Sequence, residues 1–358
     1  MSFSATQPFD LPRLPPLLQF DTPALQKAVL TARVELAELN GYAHAIPNPL
    51  LLMSPWVIRE AVASSEIENI NTTILRALQN QLLPEERRSL PDKEVLRYRD
   101  ALIWGFENMA GIPLSGRLIQ GMHRQLMAND QGFRRTQNFI QNSISGEVIY
   151  TPPPPQAIPD LIANLENFIH DGASGIDPLI KAALTHYQFE AIHPFNDGNG
   201  RTGRMLIVLQ LIHDSILRLP ILYVSGFIIR NKPDYYKLLR GVSEYGDWEA
   251  FALFMLEGFH RQAKATKQTL FAVMEFREVF RTSFRKNLPA FYDADLVDAL
   301  FSQPIVTATK VAEQINLHRT TASRYLQQMT QAGLLRSQKE GKNLFYINHR
   351  LLAIMSGL

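Results

Sequence analysis

The chain has 358 residues, of which 46% are hydrophobic and 20% charged, which is enough for two or three domains with substantial cores. Its net charge of +2 gives no overall indication of nucleic-acid binding, and the absence of cysteine excludes disulfide bonds and thiolate metal sites. The N-terminus lacks the pattern of a secretory signal, and no uncharged apolar run approaches the roughly 18 residues of a membrane span, which predicts a cytoplasmic protein with no membrane partner.

The first part of the chain is predicted to be mostly helical. Residues 1–20 are rich in proline and are predicted to run extended over the surface. After them, apolar residues recur at helical spacing, and a proline after a capping residue marks the start of each of the first two helices. The predicted helices span residues 23–41, 54–69, 92–110 and 114–128.

A small β-hairpin is predicted next. Gln137–Gln141 and Val148–Tyr150 have strand composition, Ser145–Gly146 lies between them, and four prolines follow. Helical spacing then returns, which predicts helices at 158–170, 178–192, from within 193–204 to about 217, from 234, at 248–261 and at 264–286.

The C-terminal part predicts three helices followed by two strands, which is the element order of a winged helix-turn-helix. The helices are predicted near 293–300, at 310–315 and at 320–332, and the strands at 334–338 and 343–347. Between His318 and Arg350 there are six Lys or Arg residues and one acidic residue, Glu340, which predicts a surface that contacts phosphates. A winged helix used for dimerisation or docking is the alternative.

Residues 193–204, His-Pro-Phe-Asn-Asp-Gly-Asn-Gly-Arg-Thr-Gly-Arg, connect two apolar helices and contain the start of the second. N–H groups at a helix start lack internal acceptors, so glycines there let a phosphate approach closely. Arg201 and Arg204 share one helix face, where two guanidinium groups suit further phosphates. Asp197 is a suitable Mg²⁺ ligand, and His193 is a suitable general base near neutral pH.

These twelve residues match, at every fixed position, the signature of the Fic family, His-Pro-Phe-x-Asp/Glu-Gly-Asn-Gly-Arg-x-x-Arg. The chain is therefore similar to Fic proteins, which transfer AMP from ATP to a Ser, Thr or Tyr hydroxyl of a target protein. The resemblance implies a mainly α fold, with a Fic-type helical core, a small β-hairpin flap and a C-terminal winged helix-turn-helix domain. It also implies ATP as substrate, Mg²⁺ as cofactor, and a target protein, or the chain itself, as acceptor.

The family pattern implies a role for each residue of the motif. His193 would deprotonate the attacking hydroxyl, and Asp197 would hold Mg²⁺. The phosphates would be held by Gly198, Asn199, Gly200, Arg201, Thr202, Gly203 and Arg204. Asn231 and Tyr235 resemble the region that lines the adenine and ribose pocket, although Tyr235 also suits a core position. The hairpin occupies the place of the family's flap, which aligns the target segment by strand addition; an ordinary surface hairpin is the alternative.

A second family pattern, Ser/Thr-x-x-x-Glu-Gly/Asn, is matched by Ser64, Glu68 and Asn69. The resemblance implies that Glu68 pairs with Arg204 in place of the γ-phosphate and holds ATP in an unreactive geometry, because a carboxylate and a phosphate compete for one guanidinium group. The implied domains are an N-terminal helical segment with the inhibitory motif, the Fic catalytic core, linking helices and the winged helix, over residues 1–91, 92–245, 246–290 and 291–358.

Several alternatives remain open at this point. His186, Glu190 and His193 lie on one helical face, as in a zinc hydrolase, although Pro194 follows directly. A second alternative is a transcription regulator that senses a nucleotide and binds DNA through residues 291–358. A third is a Fic-type enzyme that removes AMP. A homodimer is compatible with each of them.

Overall fold

The computed structural model describes residues 3–17, 19–45, 49–141 and 145–357 and is mainly helical, as predicted. Within these ranges the α-helices are α1 Pro23–Ala45, α2 Pro49–Ile67, α3 Ile74–Gln81, α4 Leu90–Asn108, α5 Gly116–Met127, α6 Ile158–His170, α7 Pro178–Ile192, α8 Asn199–His213, α9 Ser225–Arg230, α10 Lys232–Tyr245, α11 Trp248–Asn287, α12 Ala294–Ser302, α13 Ala308–Gln314, α14 Arg319–Gln331 and α15 His349–Ser356. The strands are β1 Ile140–Gln141, β2 Val148–Tyr150, β3 Ile305–Val306, β4 Arg336–Glu340 and β5 Asn343–Ile347. Among the helices described, none is long and apolar enough to cross a membrane.

Contacts divide the chain into two compact units. The first unit comprises Met1–Ala37 and Asp100–Ala263, and the second comprises Glu38–Arg99 and Lys264–Leu358. The division of the chain at residues 91, 245 and 290 stays a prediction.

The first unit is built around α7 and α8. These helices pack against each other, α7 also packs against α6, and α8 against α5. Nearly every residue of α7 and α8 is buried, including polar and charged side chains, so these helices form the centre of the unit. The predicted hairpin is present, with β1 antiparallel to β2 and Ile140 opposite Tyr150. The Tyr150 hydroxyl donates a hydrogen bond to the carbonyl of Ala191 at the end of α7, at 2.9 Å.

The second unit joins α2 and α3 to the C-terminal part of the chain. The three-stranded sheet has the order β3-β5-β4, with both pairs antiparallel. The helices α13 and α14 pack closely, and β4 and β5 form the hairpin that follows them. The order of these helices and strands agrees with the prediction, and their assignment as a winged helix-turn-helix stays a prediction. The helix α2 packs against α3, α12 and α15, and α3 packs against β3.

Several predicted boundaries were wrong. The helix α1 continues past Gly41, which is tolerated within a helix, and α2 begins at Pro49, so that Pro55 lies inside it. The two helices predicted at 248–261 and 264–286 are one helix of 40 residues, since Gln262 and Ala263 are buried within it and no breaking residue separates the two segments. The helices α3, α9 and α15 and the strand β3 were not predicted; all are short, with at most eight residues.

Candidate active site

The turn between α7 and α8 begins with His193 in a left-handed conformation, with φ at 48°. The backbone N–H of His193 still donates to the carbonyl of Phe189, at 3.1 Å, so the residue closes the last turn of α7. Pro194 follows and has no N–H to continue the helix. The chain therefore turns sharply at His193, whose side chain is half-buried.

Asn199 closes the turn. Its Oδ1 accepts a hydrogen bond from the N–H of Phe195 at 2.8 Å, and its Nδ2 donates to the carbonyl of Phe195 at 2.9 Å. The ring of Phe195 is fully buried and stacks on the ring of His123, with 3.6 Å between centroids. These contacts fix both ends of the segment between Phe195 and Asn199.

His123, on α5, also supports the turn directly. Its Nε2 lies 2.9 Å from the carbonyl oxygen of Asp197, to which it donates. Burial is the main cause that lowers the pKa of His123, and this keeps the ring neutral with one N–H available for the hydrogen bond. Sequence analysis missed this residue because it lies 74 positions before its partner.

Arg134 is a buried cation that also holds this turn. Its guanidinium group donates to the carbonyls of His193 at 2.9 Å and of Pro153 at 2.6 Å, and its backbone N–H donates to Pro194. Only 3% of the residue is exposed, and burial lowers its pKa below the usual value for arginine. Charged hydrogen bonds to carbonyls replace the water that this group has lost.

Replacing Arg134 with alanine is expected to lower the free energy of unfolding by about 2–4 kcal/mol, because several carbonyls lose a charged donor while they stay buried. The matched control is Arg135→Ala, since Arg135 is the exposed neighbour in the chain and should change stability little. Urea unfolding of the two variants measures the difference. Equal stability of the two variants would contradict this role for Arg134.

The start of α8 is shaped to receive an anion. Gly198 has φ at 76°, and a Cβ there would lie 2.9 Å from Sδ of Met127. The N–H groups of Asn199 and Gly200 lie in the first turn of α8, where a helix has no internal acceptors for them. Thr202 is the first residue to donate back, to the carbonyl of Gly198 at 3.0 Å. The helix therefore presents N–H groups at its positive end.

Two arginines lie on this first part of α8. Arg201 is 2% exposed and Arg204 is 1% exposed, so both guanidinium groups are held within the protein near the helix start. Nη2 of Arg201 lies 3.8 Å from a carboxylate oxygen of Asp197. Gly203, between the arginines, packs so closely on α7 that an added Cβ would lie 2.3 Å from Oε1 of Glu190. This close contact holds α8 against α7.

Asp197 is the exposed acidic group of the turn, with 73% of its side chain accessible. One oxygen accepts a hydrogen bond from the N–H of Gly198 at 2.6 Å, which fixes the carboxylate at the mouth of the site. Mg²⁺ prefers carboxylate oxygens together with phosphate oxygens as ligands. The solvent-exposed carboxylate of Asp197, close to the start of α8, is therefore suited to bind Mg²⁺.

His186 does not take part in the zinc arrangement considered above. It is fully buried, and its Nε2 lies 2.8 Å from the hydroxyl of Tyr235. Burial is the main cause that lowers the pKa of His186 to about 3, and the charge of Arg204 lowers it further. Among the described residues, no group of three or more His, Asp or Glu side chains is placed to hold a metal ion.

The low pKa of His186 predicts a stability change with pH. Since the pKa of an unfolded histidine side chain is near the ordinary value of 6.5 and that of the folded His186 is about 3, the unfolded state binds more protons between these values. Stability is therefore full above pH 6.5 and falls as the pH drops toward 3, by about 1.4 kcal/mol per unit from this group.

The variant His186→Gln keeps a group that can hydrogen-bond Tyr235 and does not titrate. We expect its free energy of unfolding to fall less steeply between pH 6.5 and 5 than that of the native chain. Urea unfolding at several pH values compares the two slopes, and identical slopes would show that His186 is not the titrating group.

The two residues predicted for the adenine and ribose pocket have structural roles as well. Asn231 lies between α9 and α10, and its Nδ2 donates to the carbonyl of Phe227 at 2.8 Å. Tyr235 is 2% exposed, and its ring is near those of His186 and Phe251. Their predicted contacts with a nucleotide stay a prediction.

The residues of the predicted inhibitory motif lie in the second unit, whereas residues 193–204 lie in the first. Ser64 is fully buried near the end of α2, which ends at Ile67. Glu68 is exposed in the turn that follows, and Asn69 has φ at 61°. The pairing of Glu68 with Arg204 stays a prediction.

Comparison with curated proteins finds relatives that are named as adenylyltransferases. A probable protein adenylyltransferase of Aquifex aeolicus is 27% identical over 198 residues, which are 53% of this chain and 54% of the relative. The protein adenylyltransferase fic-1 of Caenorhabditis briggsae is 28% identical over 148 residues, which are 38% of this chain and 25% of the relative. The chain thus matches about half of the first relative's length and a quarter of the second's.

Solved structures share the fold. A Fic family protein from Desulfovibrio desulfuricans has a TM-score of 0.56 at 21% identity, and the match covers 91% of this chain and 96% of that one. A Fic domain-containing signaling protein from Bacteroides thetaiotaomicron has a TM-score of 0.51 at 17% identity, and the match covers 68% of this chain and 97% of that one.

Three family models match successive parts of the sequence. The Fic/DOC family N-terminal model matches residues 26–107, and the C-terminal domain model of the protein adenylyltransferase SoFic-like group matches residues 276–351. The Fic/DOC family model itself matches residues 113–211, which include the hairpin, α7, the turn and all but the last two residues of α8. With this turn, this fold and these three matches, the chain belongs to the Fic/DOC family.

Proposed function

We propose that this chain is a protein adenylyltransferase, which transfers AMP from ATP to a Ser, Thr or Tyr hydroxyl of a target protein or of itself. One observation carries the proposal. A rigid turn brings the half-buried His193, the carboxylate of Asp197 and the buried guanidinium groups of Arg201 and Arg204 to the N-terminal part of one helix. The names of the curated relatives support the same activity.

The phosphates of ATP carry the charge that this site would recognise. The N–H groups of Asn199 and Gly200 would donate to the α-phosphate, because they lie in the first turn of α8. The two arginines would hold the β- and γ-phosphates. Mg²⁺ bound to Asp197 would supply further neutralisation of the phosphate charge.

In the reaction, Nε2 or Nδ1 of His193 takes the proton of the target hydroxyl as the oxygen attacks the α-phosphorus of ATP. A new P–O bond forms to the target, the bond between the α-phosphorus and the bridging oxygen breaks, and pyrophosphate leaves. The protein contributes position and charge stabilisation, since phosphoryl chemistry needs little covalent help. The hydrogen bonds that fix the backbone on both sides of His193 would hold its side chain in position for this step.

The hairpin formed by β1 and β2 would align the target. It is the whole of a two-stranded sheet, so each strand has one edge that an extended segment of a target can join by main-chain hydrogen bonds. Asn138, just before β1, donates to the carbonyl of Phe195 at 3.3 Å, and Tyr150 in β2 donates to Ala191. The hairpin is therefore anchored beside the turn where the α-phosphate would lie.

Autoinhibition is part of the proposal. Ser64 is buried and anchors the end of α2, and Asn69 supplies the left-handed residue that lets the chain turn there. Glu68 lies between them with an exposed side chain. Its carboxylate would compete with the γ-phosphate for Arg204, which would leave ATP bound in an unreactive position.

Titration with ATP and with AMP tests the phosphate site. In Glu68→Gly, ATP is expected to bind at least about tenfold more tightly than AMP, because only ATP has the β- and γ-phosphates that the arginines would hold. In the same chain with Arg201→Gln added, the ratio should fall. Equal affinity for ATP and AMP would contradict the assignment of the arginines.

DNA binding by residues 291–358 is proposed beside the enzyme activity. Arg319, Arg336, Lys339 and Lys342 are exposed, and none of them forms an ion pair with another residue in the described part of the chain. Cations on α14 and on the hairpin that follows it suit the phosphates beside a major groove. A homodimer and a cytoplasmic location stay predictions.

A further inference from the structure

The second unit contains a cationic cavity that shares a wall with the segment following the inhibitory motif. Its volume is about 350 Å³. Three cations line it, Lys310 on α13, Arg319 at the start of α14, and Lys342 before β5. Four residues with uncharged hydrogen-bond donors also line the cavity: Thr307, Thr309, Ser323 and Asn343. Leu82, which directly follows α3, lines the same cavity.

The cavity continues the surface that helix-turn-helix proteins present to DNA. The exposed face of α14 carries Thr320, Arg324 and Gln327, while Ala322, Leu326 and Met329 are buried on the other face. Such a polar face suits the major groove, and cations at its margin suit the adjacent phosphates. Lys310 pairs with Glu313 at 2.8 Å, whereas Arg319 and Lys342 form no ion pair within the described residues.

Hydrogen bonds connect the helix that precedes Leu82 to the segment that follows the inhibitory motif. The helix α3 ends just before Leu82, and its Asn80 donates to the carboxylate of Asp92 at 3.0 Å. Arg76 of the same helix lies 3.3 Å from Asp92, and the hydroxyl of Thr72 also donates to Asp92. Asp92 is 1% exposed and Thr72 is four residues after Glu68, so these contacts connect α3 to the segment that follows Glu68.

We propose that the phosphate backbone of duplex DNA occupies this cavity, displaces Leu82 and, through α3 and Asp92, moves Glu68 so that AMP transfer increases. This inference rests on the proposed function, because Glu68 is the inhibitory group there. An apolar side chain in a cavity with three cations interferes with a phosphate, so DNA favours the arrangement in which Leu82 has moved. A ligand that binds one arrangement better than another shifts the population toward it.

The test measures self-modification with labelled ATP and Mg²⁺ while duplex DNA is added to the full chain. The probe is a mixed-sequence duplex of roughly 30 base pairs at low salt, since sequence-independent binding depends on phosphate contacts. We expect the native rate to rise several-fold toward that of Glu68→Gly, whose own rate stays unchanged by DNA. A native rate that DNA leaves unchanged or lowers would overturn the proposal.

Variants locate the site. Arg319→Ala with Lys342→Ala should lower the slope of log affinity against log salt by roughly two, as each lost phosphate contact removes about 0.9. The same double variant should also lose the stimulation of AMP transfer by DNA. The control Lys264→Ala with Lys286→Ala, which changes exposed lysines of α11, should keep both the salt dependence and the stimulation of the native chain. Leu82→Ala should bind DNA at least as tightly as the native chain, because the side chain that hinders the phosphate is gone, but its AMP transfer should respond less to DNA. Full stimulation by DNA of the double variant Arg319→Ala with Lys342→Ala, or of the single variant Leu82→Ala, would contradict the proposed coupling between the cavity and Glu68.

Two further comparisons distinguish a failure of this inference from a failure of the proposed function. If inorganic phosphate at the same phosphate concentration stimulates as well as DNA, the cavity is a site for a free anion and the proposal of DNA is wrong. If Glu68→Gly itself transfers no AMP, the proposed function fails. If Glu68→Gly is active and the native chain binds DNA without stimulation, only this further inference fails.

Discussion

Replacing His193 with alanine is expected to lower the rate of AMP transfer by roughly 10²–10⁴-fold, the usual contribution of a general base. The variant should still bind ATP, because the N–H groups of α8 and the buried arginines are unchanged. The backbone at position 193 is in the left-handed region, with φ at 48°, so alanine also adds a small cost in stability.

The experiment compares transfer rates and ATP affinities in the active background Glu68→Gly. His260→Ala is the control, since it removes a half-buried histidine of α11 that is not part of residues 193–204. A folded His193→Ala variant that binds ATP and transfers AMP at the control rate would exclude the histidine as the base. Loss of ATP binding together with activity would instead assign His193 to binding.

Replacing Glu68 with glycine is expected to raise AMP transfer by roughly 10–150-fold, because a charged hydrogen bond of about 1.5–3 kcal/mol would no longer oppose the reactive position of the γ-phosphate. Glycine also suits the turn after α2, so the fold should tolerate the change. The rate of self-modification with labelled ATP measures the effect.

Glu66→Gly is the matched control for this variant. Glu66 lies two residues earlier in the last turn of α2 and is also exposed, so the substitution removes the same charge and introduces the same backbone freedom. The control should leave the transfer rate near that of the native chain. An equal rise in both variants would assign the effect to loosening of α2 rather than to the carboxylate of Glu68.

The location of the candidate site was predictable because its residues form a continuous stretch of sequence. Residues 193–204 contain the histidine, the carboxylate, the glycines and both arginines, and the structure places them around the start of one helix. The helices α6 and α7 and the strand β5 were also predicted with correct bounds, because their apolar patterns and their flanking residues agree.

The residues that hold the turn in place from distant parts of the sequence could not be predicted from a motif. Arg134 contacts the carbonyl of a residue 59 positions away, and His123 contacts one 74 positions away. Neither has a sequence pattern of its own, since a buried arginine and a surface arginine look alike in a single sequence. Asp92 is similar, because its contacts with Thr72 and Asn80 depend on the packing of α3, a helix of eight residues that no apolar repeat revealed.

If the proposed function holds, the turn before α8 holds ATP so that its α-phosphorus, and not its γ-phosphorus, is attacked. The most direct measurement incubates Glu68→Gly with Mg²⁺ and ATP labelled in either the α- or the γ-phosphate, and then measures label bound covalently to protein. We expect incorporation from the α-label and none from the γ-label. Incorporation from the γ-label, or from neither by a folded protein, would contradict it.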